Sequence, residues 1–197
     1  MFDNPHNAAI LARGIAKARS GDKNLSRVCL WEADFRNADF SNADLTHSAL
    51  QGTNLSGANL SGANLSGANL NGANLSGANL SGTNLSQTLL DGTDLSNANL
   101  SNANLKSSSL LSTNFQGANL SNASFRDASL ISTNLCNTNL RGAIFYAARL
   151  RGVKMQGAIG DITTKLASLR DFSEYEAGFR YDDAQLNYER IDKWKKD

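Results

Sequence analysis

Three cations lie close together near the end of the repetitive part of the chain: Arg149, Arg151 and Lys154. Fixed positive charges at that spacing would hold an anion; equally, they would stand in solvent or pair with acids of the C-terminal segment. The residue types of metal and acid-base chemistry do not gather in the same way. His6 and His47 belong to separate segments, and neither sits in a Cys, His or carboxylate spacing that would ligate an ion. Serine and threonine are abundant, but a nucleophile needs a positioned base and stabilising donors, and no pattern supplies them. The glycines do not form a phosphate-binding loop. No catalytic residue, metal site or cofactor is therefore expected, and the chain reads as non-enzymatic.

The positions of all these residues are set by a five-residue clock. Leu, Phe or Met occupies every fifth position from Leu30 to Met155, and the residue two places earlier is always Ala, Ser, Thr or Val. A helix places apolar residues near every 3.6 positions and a strand at every second, so a sustained period of five belongs to neither. Each unit buries one large and one small side chain, too little to fold alone, and must be stabilised by stacking. The period predicts an all-β solenoid in which four pentapeptides make one square coil. Thr53, Thr93, Thr113 and Thr133 then share one side, with Ala73 interrupting them. The repeats amount to about six and a half coils, roughly 30 Å of rod at the spacing of paired strands. Twelve of the sixteen glycines, from Gly52 to Gly157, fall two residues after a central residue, and Asn42, Asn97, Asn102 and Asn122 share that phase. Both residue types tolerate corner conformations.

Ala33-Asp34-Phe35, Ala38-Asp39-Phe40, Ala43-Asp44-Leu45 and the many Ala-Asn-Leu copies through Leu120 resemble the pentapeptide-repeat family. The resemblance covers residues 26 to about 159. It implies a right-handed quadrilateral β-helix and a bacterial setting, in a family most of whose members have no assigned biochemical role. Some relatives dimerise through a C-terminal element, and some acidic ones imitate duplex DNA and bind type II topoisomerases. The last activity calls for a sustained negative field. Here 19 Lys and Arg face 18 Asp and Glu, and only Asp44, Asp91 and Asp94 are charged between Ser41 and Leu105. DNA mimicry is thus disfavoured, as is nucleic-acid binding, which needs a long basic stripe. Binding to ice or another ordered surface is disfavoured too, because the repeated threonines occupy inward positions.

Three segments follow from the clock: an N-terminal helical cap at 1–25, the β-helix at 26–159, and a C-terminal cap or dimerisation segment at 160–197. Ala8, Ala9, Ile10, Leu11, Ile15 and Ala16, followed by Gly21, read as an amphipathic helix over 5–20 that covers the first coil. Leu166, Leu169, Phe172, Tyr175, Phe179 and Trp194 carry too much apolar surface to stay solvated, and either cap the rod or meet a second copy. Leu111 and Ile131, twenty residues apart, are expected to stack in one outward column with Leu89 nearby. That patch would receive the chain's own tail or an unknown protein partner. Cys29 and Cys136 are too far apart along the rod to be joined. With no secretory or membrane segment, the expected setting is a reducing cytoplasm. The expected function is a protein-interaction or structural scaffold.

Overall fold

The computed structural model describes residues 5–161, residue 164 and residues 180–181. Helix α1 runs over Pro5–Arg19. From Asn24 onward the chain forms a continuous ladder in which every bridge joins a residue to the one twenty places later, in parallel, from Asn24↔Asp44 to Asn139↔Ile159. Four pentapeptides therefore complete one coil. The ladder begins with Leu25 as its first central residue, one unit before Leu30, and Leu25 is fully buried.

Each position of the pentapeptide has a physical task. The central residue points to the axis, and from Leu60 through Leu140 every one is 0% exposed. The small residue two places earlier shares that interior. Between them an Asn or Asp faces outward, and its Oδ1 accepts the N–H of the residue after the centre, as in Asn54 to Ser56 at 3.1 Å, Asn74 to Ser76 at 2.9 Å and Asn134 to Cys136 at 3.0 Å. That amide has no place in the ladder, so the side chain supplies the acceptor that a backbone amide requires. The residue two after the centre turns the corner. Every residue in this phase from Arg27 to Gly157 has positive φ, and the central C=O accepts the N–H three residues on, as in Ala78 to Leu75 at 3.0 Å. Together these define a type II turn. Glycine adopts that geometry without penalty, as at Gly77. Where another residue stands there, it is unbranched at Cβ, as Asn, Ser, Asp or Ala147.

The buried hydroxyls inside the rod are satisfied. Thr53, Thr93, Thr113 and Thr133 are fully buried, and each Oγ1 donates to the carbonyl of a leucine one coil earlier, at 2.7 to 2.8 Å. These hydroxyls tie adjacent coils together from within, which removes them from any outer surface. Toward the C-terminal end, Phe125 and Phe145 stack one coil apart with centroids 4.8 Å apart and planes 2° from parallel, and Phe115 meets Phe125 edge-on at 6.1 Å. All three are fully buried. Phe35 and Phe40 form an edge-on pair in the early coils, at 5.3 Å.

Helix α1 lies against the first coil. Pro5 stands at its first position, where the missing N–H costs nothing, and Lys17 and Arg19 favour the negative end of the helix dipole. Its contact stripe is Gly14 and Ala18, both buried, with Ile15 packed on the core; Ala8, Ala9 and Ala16 are exposed. Arg19 reaches over the Phe35 ring at 6.0 Å.

At the other end β1 (Ile159–Gly160) pairs in parallel with β2 (Arg180–Tyr181), Ile159 opposite Arg180. That interval is one residue longer than a coil. Thr164 shows the same offset: its Oγ1 donates to the Leu140 carbonyl twenty-four residues earlier, whereas Thr53 reaches back twenty-three to Leu30. Thr164 and Arg180 thus each stand one residue late relative to the twenty-residue coil. Leu166, Leu169, Phe172, Tyr175, Phe179 and Trp194 lie outside the described residues.

Asp34, Asp39 and Asp44 in the early coils titrate below the usual carboxylate range. Asp34 is held down by its hydrogen bonds from Arg36, Asp39 to about 2 by bonds from Ser41 and then by Lys23, and Asp44 by the bond from the Thr46 amide. A carboxylate whose folded pKa is depressed stabilises the fold above its unfolded pKa, and that stabilisation is lost as pH falls through the folded value. Acidification from about pH 4 toward about 2 is therefore expected to loosen the coils around residues 34–46 first. Hydrogen exchange at pH 5 and pH 2.5, corrected for intrinsic rates, reads this as protection lost there before residues 95–120; uniform loss along the rod would contradict it.

Candidate protein contact face

Because the coil is twenty residues, the chain writes four columns of centres, and three of the four sides carry much the same outer surface. On the side centred on Leu60, Leu80, Leu100, Leu120 and Leu140, the outward Asn residues bond to one another up the rod: Asn79 to Asn59, Asn99 to Asn79, Asn119 to Asn99 and Asn139 to Asn119, at 3.0 to 3.4 Å. Asn84 to Asn64 and Asn104 to Asn84 do the same on the side centred on Leu65 and Leu85. On the side centred on Leu95 and Phe115, Asn114 bonds to Asp94 and Asn134 to Asn114. These ladders satisfy their own polar groups along most of the rod.

The fourth side, centred on Leu50, Leu70, Leu90, Leu110, Leu130 and Leu150, is built differently. Before the centre its outward column reads Cys29, Ala49, Asn69, Leu89, Ser109, Ser129 and Arg149, each bridged to the next. After the centre it reads Trp31, Gln51, Asn71, Asp91, Leu111, Ile131 and Arg151. With Leu89 in place of Asn, the usual acceptor for the amide after the centre is missing. The opposite column supplies it instead: Asn71 Oδ1 accepts the Asp91 N–H at 2.9 Å, and Asp91 Oδ1 accepts the Leu111 N–H at 3.0 Å and the Ser109 hydroxyl at 2.6 Å. The next residues in that column, Leu111 and Ile131, have no side-chain acceptor to offer.

Leu89 is 42% exposed, Leu111 39%, and Ile131 is half-buried. Among the described residues the other large exposed apolar side chain is Tyr146, which sits on a neighbouring side beneath the Arg126 guanidinium at 5.1 Å. Leu111 and Ile131 occupy successive coils of one column, since the Ser112 amide donates to the Ile131 carbonyl and the Gly92 amide to that of Leu111. Arg149 and Arg151 top the two columns of this same side, both exposed. Lys154, also exposed, stands round the corner above Asn134 on the next side. No described acid forms an ion pair with any of the three. The structure thus joins an apolar patch and two of the three cations into one strip along the axis, with Asp91 at its lower edge.

Among the described residues no three His, Cys, Asp or Glu side chains converge where a metal ion could be held. No described helix is long and apolar enough to cross a membrane. Cys29 and Cys136 are free and partly buried. The arrangement offers an exposed apolar patch and two exposed cations at the fixed spacing of the ladder.

A family model of pentapeptide repeats matches the chain in 8 copies, over residues 24–57, 48–87, 58–97, 88–127 and 123–159. Among solved structures the chain is similar to a pentapeptide repeat protein from the thylakoid lumen of Arabidopsis thaliana, with 34% identity and a TM-score of 0.48 over 48% of this chain and 66% of that one. It therefore spans 66% of that protein's length. It is also similar to HetL, a pentapeptide repeat protein involved in heterocyst differentiation regulation from the cyanobacterium Nostoc sp. strain PCC 7120, at 28% identity, TM-score 0.34, and coverage of 80% and 91%. A third is a trypsin-treated form of QnrB1, a plasmid-mediated fluoroquinolone resistance protein, at 19% identity, TM-score 0.48, and coverage of 83% and 95%. Comparison with curated proteins finds no match.

Proposed function

The chain belongs to the pentapeptide-repeat family, whose solenoid is a right-handed β-helix, and on that premise we propose that it is a non-enzymatic scaffold presenting its Leu90 side to a protein partner. The rod has about six and a half coils, with α1 capping the first, and works in the cytoplasm. The observation that carries this reading is the concentration of departures on one side. Leu89 interrupts the outward Asn column that the other sides use to satisfy themselves, and Leu111 and Ile131 follow in the neighbouring column of the same side one and two coils on, below Arg149 and Arg151. A contiguous apolar patch rimmed by charge marks a contact surface more often than a solvated one. The two free cysteines support a reducing compartment.

A photocrosslinking residue at position 129, in the column of Leu89 and across the centre from Ile131, tests the proposal in the cells of origin. One discrete heavier adduct is expected, and it should vanish in Leu111→Ser/Ile131→Ser while circular dichroism and melting are unchanged, since substitutions at exposed sites usually stay within about 0.5 kcal/mol. A crosslinker at Ser81, on an Asn-ladder side, serves as the control. The same adducts from both positions, or an adduct indifferent to Leu111 and Ile131, would refute the scaffold face. The alternative of a DNA mimic that binds a topoisomerase is opposed by the near balance of charge and the basic last coils. It predicts inhibition of gyrase supercoiling, and a null result over a broad concentration range removes it.

A further inference from the structure

We infer that what meets the Leu90 side is a second copy of this chain, docked antiparallel on the same strip in a single register; this rests on the reading of that side as a contact face and names its partner. The strip is self-complementary. Its outward column after the centre reads Asp91, Leu111, Ile131 and Arg151 on four successive coils: acid, apolar, apolar, base. Reversed, the order is base, apolar, apolar, acid. A two-fold axis lying in the face, across the rod between the coils of Leu111 and Ile131, sets that column against its own reverse, as an isologous interface requires. Asp91 then meets Arg151 of the second copy and Leu111 meets Ile131 of the second copy, and the symmetry makes each contact twice.

The column before the centre accepts the same register. Ser109 faces Ser129 of the second copy, and Leu89 lies under the aliphatic stem of Arg149 of the second copy. At the corners Ser107 meets Asp127 and Ser112 meets Ser132, so no like charges oppose one another. Other arrangements fail. A slip of one coil sets Asp91 against Ile131 or Arg151 against Leu111, which covers a charge with an apolar side chain. Parallel docking sets Arg149 against Arg151 of the second copy. The groups that would meet are also available. Leu89 and Leu111 are exposed, as are both arginines, and no described acid forms an ion pair with Arg151. Asp91 Oδ1 accepts the Ser109 hydroxyl and the Leu111 amide, while its Oδ2 accepts no hydrogen bond among the described residues. The outermost pairs stand only about 14 Å apart along the rod. Such a strip falls well short of the roughly 800 Å² per partner of a standard interface, so the association is expected to be weak and concentration-dependent.

The test is sedimentation of the purified full-length protein from micromolar to millimolar concentration, with the photocrosslinker at position 129 reading the register. The expected result is a monomer-dimer equilibrium that is lost in Leu111→Ser/Ile131→Ser. The crosslinked product of dimer mass should join position 129 to the tryptic peptide 107–126 of the second copy, which holds Ser109 and Leu111. Arg151→Glu should weaken the association about threefold to tenfold, as expected when two exposed ion pairs are lost. In the Asp91→Asn background, which keeps an acceptor for the Leu111 amide but removes the charge, the same substitution should change it little. Monomer at every concentration overturns the inference. So does a dimer indifferent to Leu111 and Ile131, a dimer-mass product joined elsewhere, or an Arg151→Glu effect that is equal in both backgrounds. If a Leu111-dependent adduct of another mass still forms in cells, only the second copy falls; if neither forms, the contact face falls with it.

Discussion

Replacing Phe125 with Ala is expected to lower the stability of the rod by about 3–5 kcal/mol, the range for deleting a fully buried aromatic side chain. Phe125 lies between two other rings, parallel to Phe145 at 4.8 Å and edge-on to Phe115 at 6.1 Å, and all three are 0% exposed. Removing it opens a void bounded by its own coil and the coils on either side. Those coils are pinned from outside by a continuous ladder, as where the Phe125 amide donates to the Ile144 carbonyl at 2.7 Å. They have little freedom to collapse into the gap, which places the cost toward the upper end of the range. The loss should also be local. In a solenoid each unit contacts only its neighbours, so stability is close to a sum of unit and interface contributions. Hydrogen exchange is therefore expected to show deprotection centred on residues 105–145, with the coils around Leu60 unchanged. Phe125→Leu, which restores the centre used by the middle coils but not the stack, should recover more than half of the loss. Equal deprotection from Leu60 to Leu140 would mean that the rod melts as one cooperative body, contrary to that expectation.

The interior of the rod is legible in the sequence. The centre, the small inward residue and the corner are legible because each recurs in phase, so Phe125 could be assigned to the axis without coordinates. Two matters were less visible. Writing the chain in rows of twenty brings Leu89, Leu111, Ile131, Arg149 and Arg151 onto one side. Read in rows of five, however, the apolar patch and the basic cluster look like separate features. Rows of twenty unite them but do not show why the strip holds together: Asn71 and Asp91 take over the acceptor role from the opposite column, a substitution that depends on geometry across a coil. Residues such as Leu166 and Trp194 keep no period, so their type records only that they are apolar. The one-residue offset at Thr164 shows why the clock is lost there. Thr164 is buried and bonded to Leu140, but one residue out of phase with five.

Gly14 carried no legible signal at all, and it supports the second large effect. Within a helix, glycine costs about 1 kcal/mol relative to alanine, so on propensity alone Gly14→Ala would stabilise α1. The structure predicts the opposite. A Cβ placed on Gly14 falls on the Cys29 backbone carbonyl and meets a Val28 methyl at 3.0 Å. The carbonyl belongs to the first coil, and the chain there is held from the other side as the Leu30 amide donates to Ala49 at 2.8 Å. It cannot step aside cheaply, so the helix has to lift. Lifting uncovers Ala18, now 8% exposed, and withdraws Ile15 from the core. We expect a net loss of about 1–3 kcal/mol, as for overpacking of a close-packed contact. The exposed first coil would then present apolar side chains and unpaired strand groups, a template for end-to-end association. The expected outcome is faster exchange of residues 10–19 together with a solution mass that rises with protein concentration. Ala16→Gly, on the exposed face of the same helix, distinguishes this from simple loss of helicity: it should weaken α1 by about 1 kcal/mol without changing the solution mass. If Gly14→Ala instead slows exchange in α1 and remains monodisperse, the close contact with Cys29 does not govern how the helix covers the rod.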